Sequence, residues 1–303
     1  MMIEVLLALS LSADWSPRLA ADYLDNRQKE WFAWNTAQTA DGPCVSCHTG
    51  VTYLLVRPEL RRKLGETEPT RYEAGLKKTL AGVGFKEPLA SLAPGVEVIH
   101  SALFLGDFER MWALQIKEGR DQGAWKWFQL DLDPWEQPES TFYGATLAAL
   151  AARQDPGHPK QIALLRDYLK REQAGQPLHN RLMLLWAMPD LITGNVLEEA
   201  LKKQQPDGGW SIESLGPWKR PSRSTGSDAY ATALVTYTLL KENNRSKIRL
   251  AGALNWLKSH QNEQGFWPST SMNKEYPPDS MMSKFMQDAA TGFAALALLE
   301  AER

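Results

Sequence analysis

Residues 261–267 read QNEQGFW and residues 204–210 read QQPDGGW, so both stretches contain Gln, three residues, Gly, one residue and Trp. Each stretch follows a segment whose apolar residues recur at helical spacing, and glycine commonly ends a helix. After each stretch come a long loop and a helix rich in small apolar residues, at 228–241 and 288–301. A unit of helix, loop and helix that recurs along a chain predicts stacked helical hairpins.

The same unit extends over the rest of the chain. A third copy, Gly123-Ala124-Trp125, lacks the Gln and precedes an Ala-rich segment. Amphipathic segments, typical of outer helices, lie near 18–39, 70–81, 107–118, 159–173, 194–205 and 246–261. Segments that are apolar nearly all round, typical of inner helices, lie near 49–57, 96–105, 141–153, 178–188, 228–241 and 288–301. Six such pairs predict an all-α fold, an (α/α)6 toroid, with an open helical array as the alternative. We expect residues 14–303 to form one domain.

The repeated stretches resemble the QW motifs of squalene–hopene cyclases and related terpene cyclases, whose toroids are similar to the β subunits of protein prenyltransferases. Those cyclases protonate an alkene with an Asp-x-Asp-Asp motif at the start of an inner helix, where this chain has Ser227-Asp228-Ala229-Tyr230. Asp131-Leu132-Asp133-Pro134 is the nearest substitute. Prenyltransferases bind zinc through Asp, Cys and His, and no cysteine lies in the second half of this chain. The resemblance therefore implies the fold more than either activity.

Both cysteines of the chain lie in residues 44–48, CVSCH. The stretch Gln38-Thr39-Ala40-Asp41-Gly42-Pro43-Cys44 has the spacing of the repeated pattern, with Cys44 in the place of Trp. The motif therefore occupies the junction that leads into the first inner helix, and a thiol replaces an indole that would pack between repeats.

Three chemical interpretations of this motif compete. A thiol redox pair is typical of a strand-to-helix junction, and the sequence shows no strands. A structural zinc site needs four ligands, and the other histidines are scattered at positions 100, 158, 179 and 260. Cys-x-x-Cys-His is the attachment signature of haem c, in which both sulfurs form thioethers and the histidine binds iron. We expect one covalent haem c on Cys44, Cys47 and His48, with a surface disulfide or an accidental match as alternatives.

The first thirteen residues and the overall charge bear on the location of the protein. Residues 1–13 are apolar and end in small residues like a signal peptide, although they contain Glu4 and no Lys or Arg. Because covalent haem is normally attached outside the cytoplasm, we expect a periplasmic or exported protein. A formal net charge of −2 gives no reason to expect nucleic acid as a partner, and no apolar run is long enough for a transmembrane segment.

Two classes of function follow. The first is a haem protein that acts in electron transfer or haem-dependent oxidoreduction, with a protein or small molecule as redox partner. The second is a cavity enzyme that acts on a terpenoid or a glycan, in which the cysteines are structural and Asp228 and Asp288 are the candidate carboxylates. An aspartate at the start of a helix more often caps it. A toroid that serves only as a binding scaffold is a third hypothesis.

In a closed toroid the inner helices all begin at one rim. We therefore expect His48, Tyr143, Asp228, Tyr230 and Asp288 to surround one mouth of the central cavity. The long loops 119–140, 206–227 and 262–287 belong to the same face. The candidates for a sixth iron ligand near this mouth are Met272, Met281, Met282, Met286, His100 and His179. Of these we favour a methionine of the last loop, with an open sixth position as the alternative.

Overall fold

The computed structural model describes residues 15–82, 89–130, 132–137, 140–218, 220–221, 226–242, 250–272 and 274–303. The predicted signal peptide at 1–13 lies outside these residues. Thirteen α-helices follow one another in the described ranges: α1 (Pro17–Ala33), α2 (Gly50–Leu64), α3 (Arg71–Ala81), α4 (Leu89–Leu92), α5 (Pro94–Leu105), α6 (Phe108–Ala113), α7 (Ser140–Ala152), α8 (Pro159–Glu172), α9 (Leu178–Ala187), α10 (Val196–Lys202), α11 (Ala229–Glu242), α12 (Ala251–Ser259) and α13 (Phe285–Ala301). Only two isolated β-bridges join residues in these ranges, Gln38 with Pro43 and Leu132 with Glu136.

The helices form two concentric layers. The inner layer consists of α2, α5, α7, α9, α11 and α13, and every residue of α7 is buried. The outer layer consists of α1, α3, α6, α8, α10 and α12, and α8 buries only one face, through Leu165, Tyr168 and Leu169. Helices that are apolar all round have to be enclosed by others, and amphipathic helices cover them.

The inner layer closes into a ring. Packing runs from α5 to α7, α9, α11 and α13. Helix α13 then packs against α2 and α1 at the start of the chain, and α3 connects α2 with α5. The predicted all-α, (α/α)6 toroid is therefore confirmed. Among the residues described, every helix is too short or too polar to span a bilayer.

The repeated Gln-x3-Gly-x-Trp stretches join one hairpin to the next. The indole Nε1 of Trp267 donates to the carbonyl of Leu257, 2.7 Å away, at the end of the preceding outer helix, and Trp210 makes the same bond to Ala200. The side chain of Gln261 donates to the carbonyls of Gly265 and Ser16 and accepts from the amide of Ser16. Because Ser16 caps α1, this last copy connects the end of the chain to its beginning.

The third copy also has its glutamine, but at a different spacing. Gln115 donates to the carbonyl of Gly123 at 3.1 Å and to the carbonyl of Gln161 on the next outer helix at 2.9 Å. Trp125 Nε1 donates to the carbonyl of Met111. Position 115 lies eight residues before the glycine, so a search at fixed spacing does not find it.

Three helices end five or more residues from their predicted ends. The first outer helix was expected over 18–39, but α1 ends at Ala33. We expected the first inner helix to end at residue 57, before Pro58, but α2 continues to Leu64 with Pro58 inside it. Its last turn carries Arg61, Arg62 and Lys63, which suit the negative end of the helix dipole. The third outer helix was expected over 107–118, but α6 ends at Ala113 because the backbone of Ile116 pairs with Gly123 and Ala124 instead.

We predict that replacing Gly265 by Ala destabilises the protein by about 2–4 kcal/mol. Gly265 has a φ of 92°, and a Cβ there would lie 2.2 Å from the carbonyl oxygen of Leu19 on α1, so backbone strain and overpacking add. Gly65 is the matched control, because it has a φ of 69° with nothing near its Cβ position, and Gly65→Ala should cost only about 1 kcal/mol. Urea unfolding measures both losses, and equal losses would contradict a tight contact between the last repeat and α1.

Candidate functional site

The Cys-x-x-Cys-His motif forms the turn that starts α2. Ser46 Oγ accepts hydrogen bonds from the amides of Thr49 and Gly50 at 3.2 Å, which caps the helix. The amide of Cys44 donates to Ala37, and Trp31 Nε1 donates to the carbonyl of Cys44 at 2.8 Å. The turn is thereby fixed to α1 and to the segment before it.

The two thiols are not bonded to each other, and their surroundings favour the protonated form. Cys44 is half-buried, Cys47 is buried, and no disulfide joins them. Burial raises the pKa of Cys44 to about 12, and burial together with the charge of Glu136 raises the pKa of Cys47. Redox-active cysteines have a lowered thiol pKa, so the surroundings of this pair do not favour the thiol redox interpretation.

His48 is held by aromatic side chains. Its ring stacks on Phe285, with centroids 3.6 Å apart, and the edge of Trp31 lies against it at 5.6 Å. Trp135, from the long loop between α6 and α7, lies 6.0 Å away. Burial and the nearby charge of Arg27 lower the pKa of His48 to about 3, so the imidazole is neutral at neutral pH.

Behind His48 lies a buried polar network centred on Asp288. Nδ1 of His48 is 2.9 Å from Thr49 Oγ1, and this hydroxyl donates to Asp288 Oδ2 at 2.7 Å. Arg27 donates to both carboxylate oxygens, at 2.7 and 3.0 Å, and Tyr23 donates to Oδ1 at 2.8 Å. Asp288 therefore makes a buried ion pair and is not a free acid or base.

Asp228 is also engaged in structural contacts. Its Oδ1 accepts from the amides of Tyr230 and Ala231, which caps α11. Ser269 donates to the same carboxylate at 3.0 and 3.1 Å. Burial raises its pKa to about 6, and these hydrogen bonds oppose the shift. The predicted carboxylate pair of the glycan hypothesis thus consists of a helix cap and one half of an ion pair.

His179 lies in an aromatic cluster on the opposite side of the ring. Its two nitrogens contact Asn180 Oδ1 at 2.9 Å and the hydroxyl of Tyr230 at 2.8 Å. The ring of Tyr143 lies 5.9 Å away, and Trp135 lies 5.6 Å from Tyr230. Since Trp135 also lies near His48, its indole connects the two sides of the mouth.

The other candidate iron ligands have different surroundings. His100 is buried, and its Nδ1 lies 3.1 Å from the carbonyl of Val45, between the two cysteines. Its Nε2 has no hydrogen-bond partner among the described residues, and burial lowers its pKa to about 4. Arg27 donates to the sulfur of Met281 at 3.2 Å. Met272 and Met286 are buried, and Met282 is exposed. The identity of a sixth ligand stays a prediction.

Glu136 is a residue that the sequence reasoning missed. It follows Trp135 in the loop over the mouth, and burial raises the pKa of its carboxyl to about 7. Its charge also raises the pKa of Cys44, Cys47 and Tyr276, so the carboxyl acts on both thiols electrostatically. The sequence analysis placed the loop 119–140 at this mouth, and that placement was the feature that could have pointed to Glu136. Asp131 lies outside the described residues.

Two cavities open beside this region. One of about 990 Å³ lies between α1 and the segment before α13, and its walls include Tyr23, Arg27 and Phe266. The other, of about 570 Å³, is lined by residues that include Pro134, Asn180 and Trp218. Neither is lined by Cys44, Cys47 or His48. Within the described ranges, His, Cys, Asp and Glu side chains form no group of three or more that could hold a metal ion.

Comparison with known proteins identifies the fold. No protein-family profile and no curated protein matches the chain. A solved structure described as a possible member of the GH105 family from Klebsiella pneumoniae subsp. pneumoniae is similar to it, with a TM-score of 0.54. The likeness covers 99% of this chain and 95% of that one at 13% identity. At this identity the likeness concerns the fold alone, and the likeness to squalene–hopene cyclases remains one of sequence motif. The chain is thus an α/α toroid with the Cys-x-x-Cys-His turn at one mouth.

We predict that Glu136→Gln stabilises the protein at pH 8 but not near pH 4. The unfolded chain ionises Glu136 near its ordinary pKa of about 4.3, whereas the folded protein holds the proton up to about pH 7. The native state therefore loses stability as pH rises between these values, and the amide removes this loss. Because Glu136 is only half-buried by surface area, we expect a gain of about 1–3 kcal/mol.

Urea unfolding at pH 5, 6, 7 and 8 measures this gain. The control is Glu275→Gln, an exposed carboxylate in the segment before α13. A gain for Glu136→Gln that is the same at every pH would contradict the raised pKa.

Proposed function

We propose that this protein carries one haem c, attached by Cys44 and Cys47 and bound through its iron by His48, at the mouth of an α/α toroid. In this proposal it is an exported protein that acts in electron transfer or haem-dependent oxidoreduction. The observation that carries the proposal is the complete Cys-x-x-Cys-His motif at the start of α2, where the two thiols are not bonded to each other and the ring of His48 stacks on Phe285.

The side chains present fit this group. Thioether formation needs two cysteines that are not bonded to each other, and iron binds the lone pair of a neutral imidazole. A metal approaches an imidazole nitrogen in the plane of the ring, whereas Phe285 lies on the ring face. The stacking contact therefore orients His48 without covering its edge.

The long loop between α6 and α7 has to provide the space. Residues 132–137 cover this part of the mouth with Trp135, which lies between His48 and Tyr230. Since neither of the two cavities is lined by the cysteines, displacement of this segment is part of the proposal. Two backbone hydrogen bonds between Leu132 and Glu136, and the bond from the indole of Trp127 to the carbonyl of Trp135, hold it in place.

Haem supplies one-electron chemistry at iron, and this chain supplies the surroundings that tune it. Glu136 supplies a carboxyl of raised pKa, and its charge raises the pKa of both thiols. Of the predicted sixth ligands, His100 offers a nitrogen, Nε2, that has no hydrogen-bond partner among the described residues, whereas both nitrogens of His179 are engaged. The redox partner, whether protein or small molecule, would meet the face formed by the long loops.

The proposal is tested by expressing the protein with an export signal in bacterial cells that also produce the cytochrome c maturation proteins. We expect a pyridine haemochrome spectrum typical of two thioethers and a protein mass increased by one haem. Cys44→Ala and Cys47→Ala should each give the spectrum of a single thioether, and the double variant should lose covalent haem. Ser46→Ala is the matched control, because position 46 is one of the two variable positions of the motif. The absence of haem from the wild-type protein, in cells that mature another c-type cytochrome, would refute the proposal.

A second candidate function is glycan binding or hydrolysis, and the cavity of about 990 Å³ favours it. A cavity of this size is in the range of small-molecule sites. Its charged side chains balance, with Arg27, Lys274 and Lys284 against Glu30, Glu275 and Asp279. Hydroxyl, amide and aromatic groups complete the walls, including Tyr23 and Phe266 with ring centroids 4.9 Å apart. Such walls suit an uncharged polyhydroxylated ligand better than a terpenoid.

The two candidates differ in their dependence on the cysteines. If the protein acts on glycans, the Cys44→Ala, Cys47→Ala double variant should bind or cleave neutral oligosaccharides as the wild type does. Phe266→Ala should weaken binding at least tenfold, because the aromatic surface for the sugar ring is lost. Calorimetric titration with cellotetraose and xylotetraose, with reducing-end release as the activity assay, measures both effects. Failure of both sugars to bind at millimolar concentration would reject this candidate.

A further inference from the structure

The polar network behind His48 determines which of its two nitrogens carries the proton. Nδ1 of His48 lies 2.9 Å from Thr49 Oγ1, and Thr49 Oγ1 lies 2.7 Å from Asp288 Oδ2. The three groups form a continuous line from imidazole to carboxylate. A neutral imidazole has one N–H, and the partner of each nitrogen selects the tautomer.

The carboxylate end of the line accepts hydrogen bonds only. Arg27 donates to Oδ1 through Nε and to Oδ2 through Nη2. Tyr23 also donates to Oδ1, because its own oxygen accepts from the amide of Gln287 at 2.8 Å. Burial raises the pKa of Asp288, while Arg27 and the donated bonds lower it. With a guanidinium on both oxygens, the ionised form is the one that fits these contacts.

A threonine hydroxyl has a single proton, and Thr49 uses it in the hydrogen bond that it donates to Asp288. The lone pairs of Thr49 Oγ1 then face Nδ1 of His48, so a short contact is favourable only if Nδ1 carries a proton. Ser46 Oγ also lies near Nδ1, but at 3.4 Å; because it accepts from the amides of Thr49 and Gly50, only its proton could face Nδ1, and it would do so across the longer of the two contacts. The shorter contact decides the direction of the bond.

We propose that Arg27, Asp288 and Thr49 are positioning residues that hold His48 as the Nδ1–H tautomer and leave the lone pair of Nε2 free. As a device for binding iron, this role rests on the proposed function. The tautomer itself does not, because every group in the line belongs to the chain. A histidine whose second nitrogen donates toward a carboxylate is a stronger ligand, so the relay should lower the reduction potential of an iron bound at Nε2.

The tautomer is measured in protein made without haem in a reducing cytoplasm. Long-range proton–nitrogen correlation spectra of protein labelled with 15N-histidine distinguish Nδ1–H from Nε2–H, and His48→Gln assigns the signal. We expect a single Nδ1–H form for His48. Thr49→Ser keeps the hydroxyl and should leave this form unchanged. Thr49→Val keeps the shape but has no acceptor, so a substantial population of the Nε2–H form should appear.

Ser46→Ala is the control for the competing contact, and it should leave the tautomer unchanged. Asp288→Asn should shift the tautomer as Thr49→Val does, if that variant folds. An Nε2–H form in the wild type, or an Nδ1–H form that survives in a folded Thr49→Val protein, would overturn the proposal.

The haem-loaded protein gives the second measurement. Thr49→Val should shift the reduction potential to more positive values, whereas Thr49→Ser, which keeps the hydroxyl, should have the potential of the wild type. An unchanged potential in Thr49→Val would overturn the role of the relay toward iron. If no haem attaches but the Nδ1–H tautomer and its loss in Thr49→Val are found, the proposed function fails while the relay stands.

Discussion

The buried ion pair between Arg27 and Asp288 is the contact on which the closed ring and the candidate site both depend. Arg27 lies on the first outer helix and Asp288 on the last inner helix. Removing two charges from water costs several kcal/mol per ion, which only good geometry and further hydrogen bonds offset. Here each carboxylate oxygen accepts two hydrogen bonds, with Tyr23 and Thr49 adding to the guanidinium. The pair can form only when the ring is closed, and closure brings Thr49 and His48 to it.

The glutamine–glycine–tryptophan junctions explain why closure occurs at this place. In the last repeat Gln261 and Gly265 contact Ser16 and Leu19 on α1, just as Gly208 contacts Gly252 on the next outer helix in the repeat before. The chain therefore closes by using the contact that joins its internal repeats. The first repeat has Cys44 where the others have an indole, and Trp31 Nε1 donates to the carbonyl of Cys44 instead. A hydrogen bond from an indole to a backbone carbonyl therefore still joins the turn to its outer helix, although the indole now lies on that helix. The position in the turn is thereby available for a cysteine.

The sequence predicted which helices are inner and which are outer better than it predicted where each helix ends. Inner helices such as α7 are apolar over every turn, so their burial could be foreseen. The continuation of α2 past Pro58 could not, because tertiary burial of Leu60 and a glycine cap at position 65 outweigh the local cost of proline. Gln115 was missed for a related reason: its side chain reaches Gly123 around a backbone turn that no fixed spacing describes. Local pattern determines which face is apolar, while contacts between distant residues determine where elements end.

The candidate site shows the same difference between local sequence pattern and contacts from distant residues. Cys44, Cys47 and His48 are adjacent in sequence, so the motif was visible, and their haem role remains a prediction. The side chains that set their chemistry come from far along the chain: Asp288 from the last helix and Glu136 from a central loop. The network around Asp288 also separates the two candidate functions in space. On one side, Tyr23 and Arg27 line the cavity of about 990 Å³. On the other side, Thr49 donates to Asp288 and contacts Nδ1 of His48. One buried carboxylate thus borders both regions, and its partners link the walls of the cavity to the Cys-x-x-Cys-His turn.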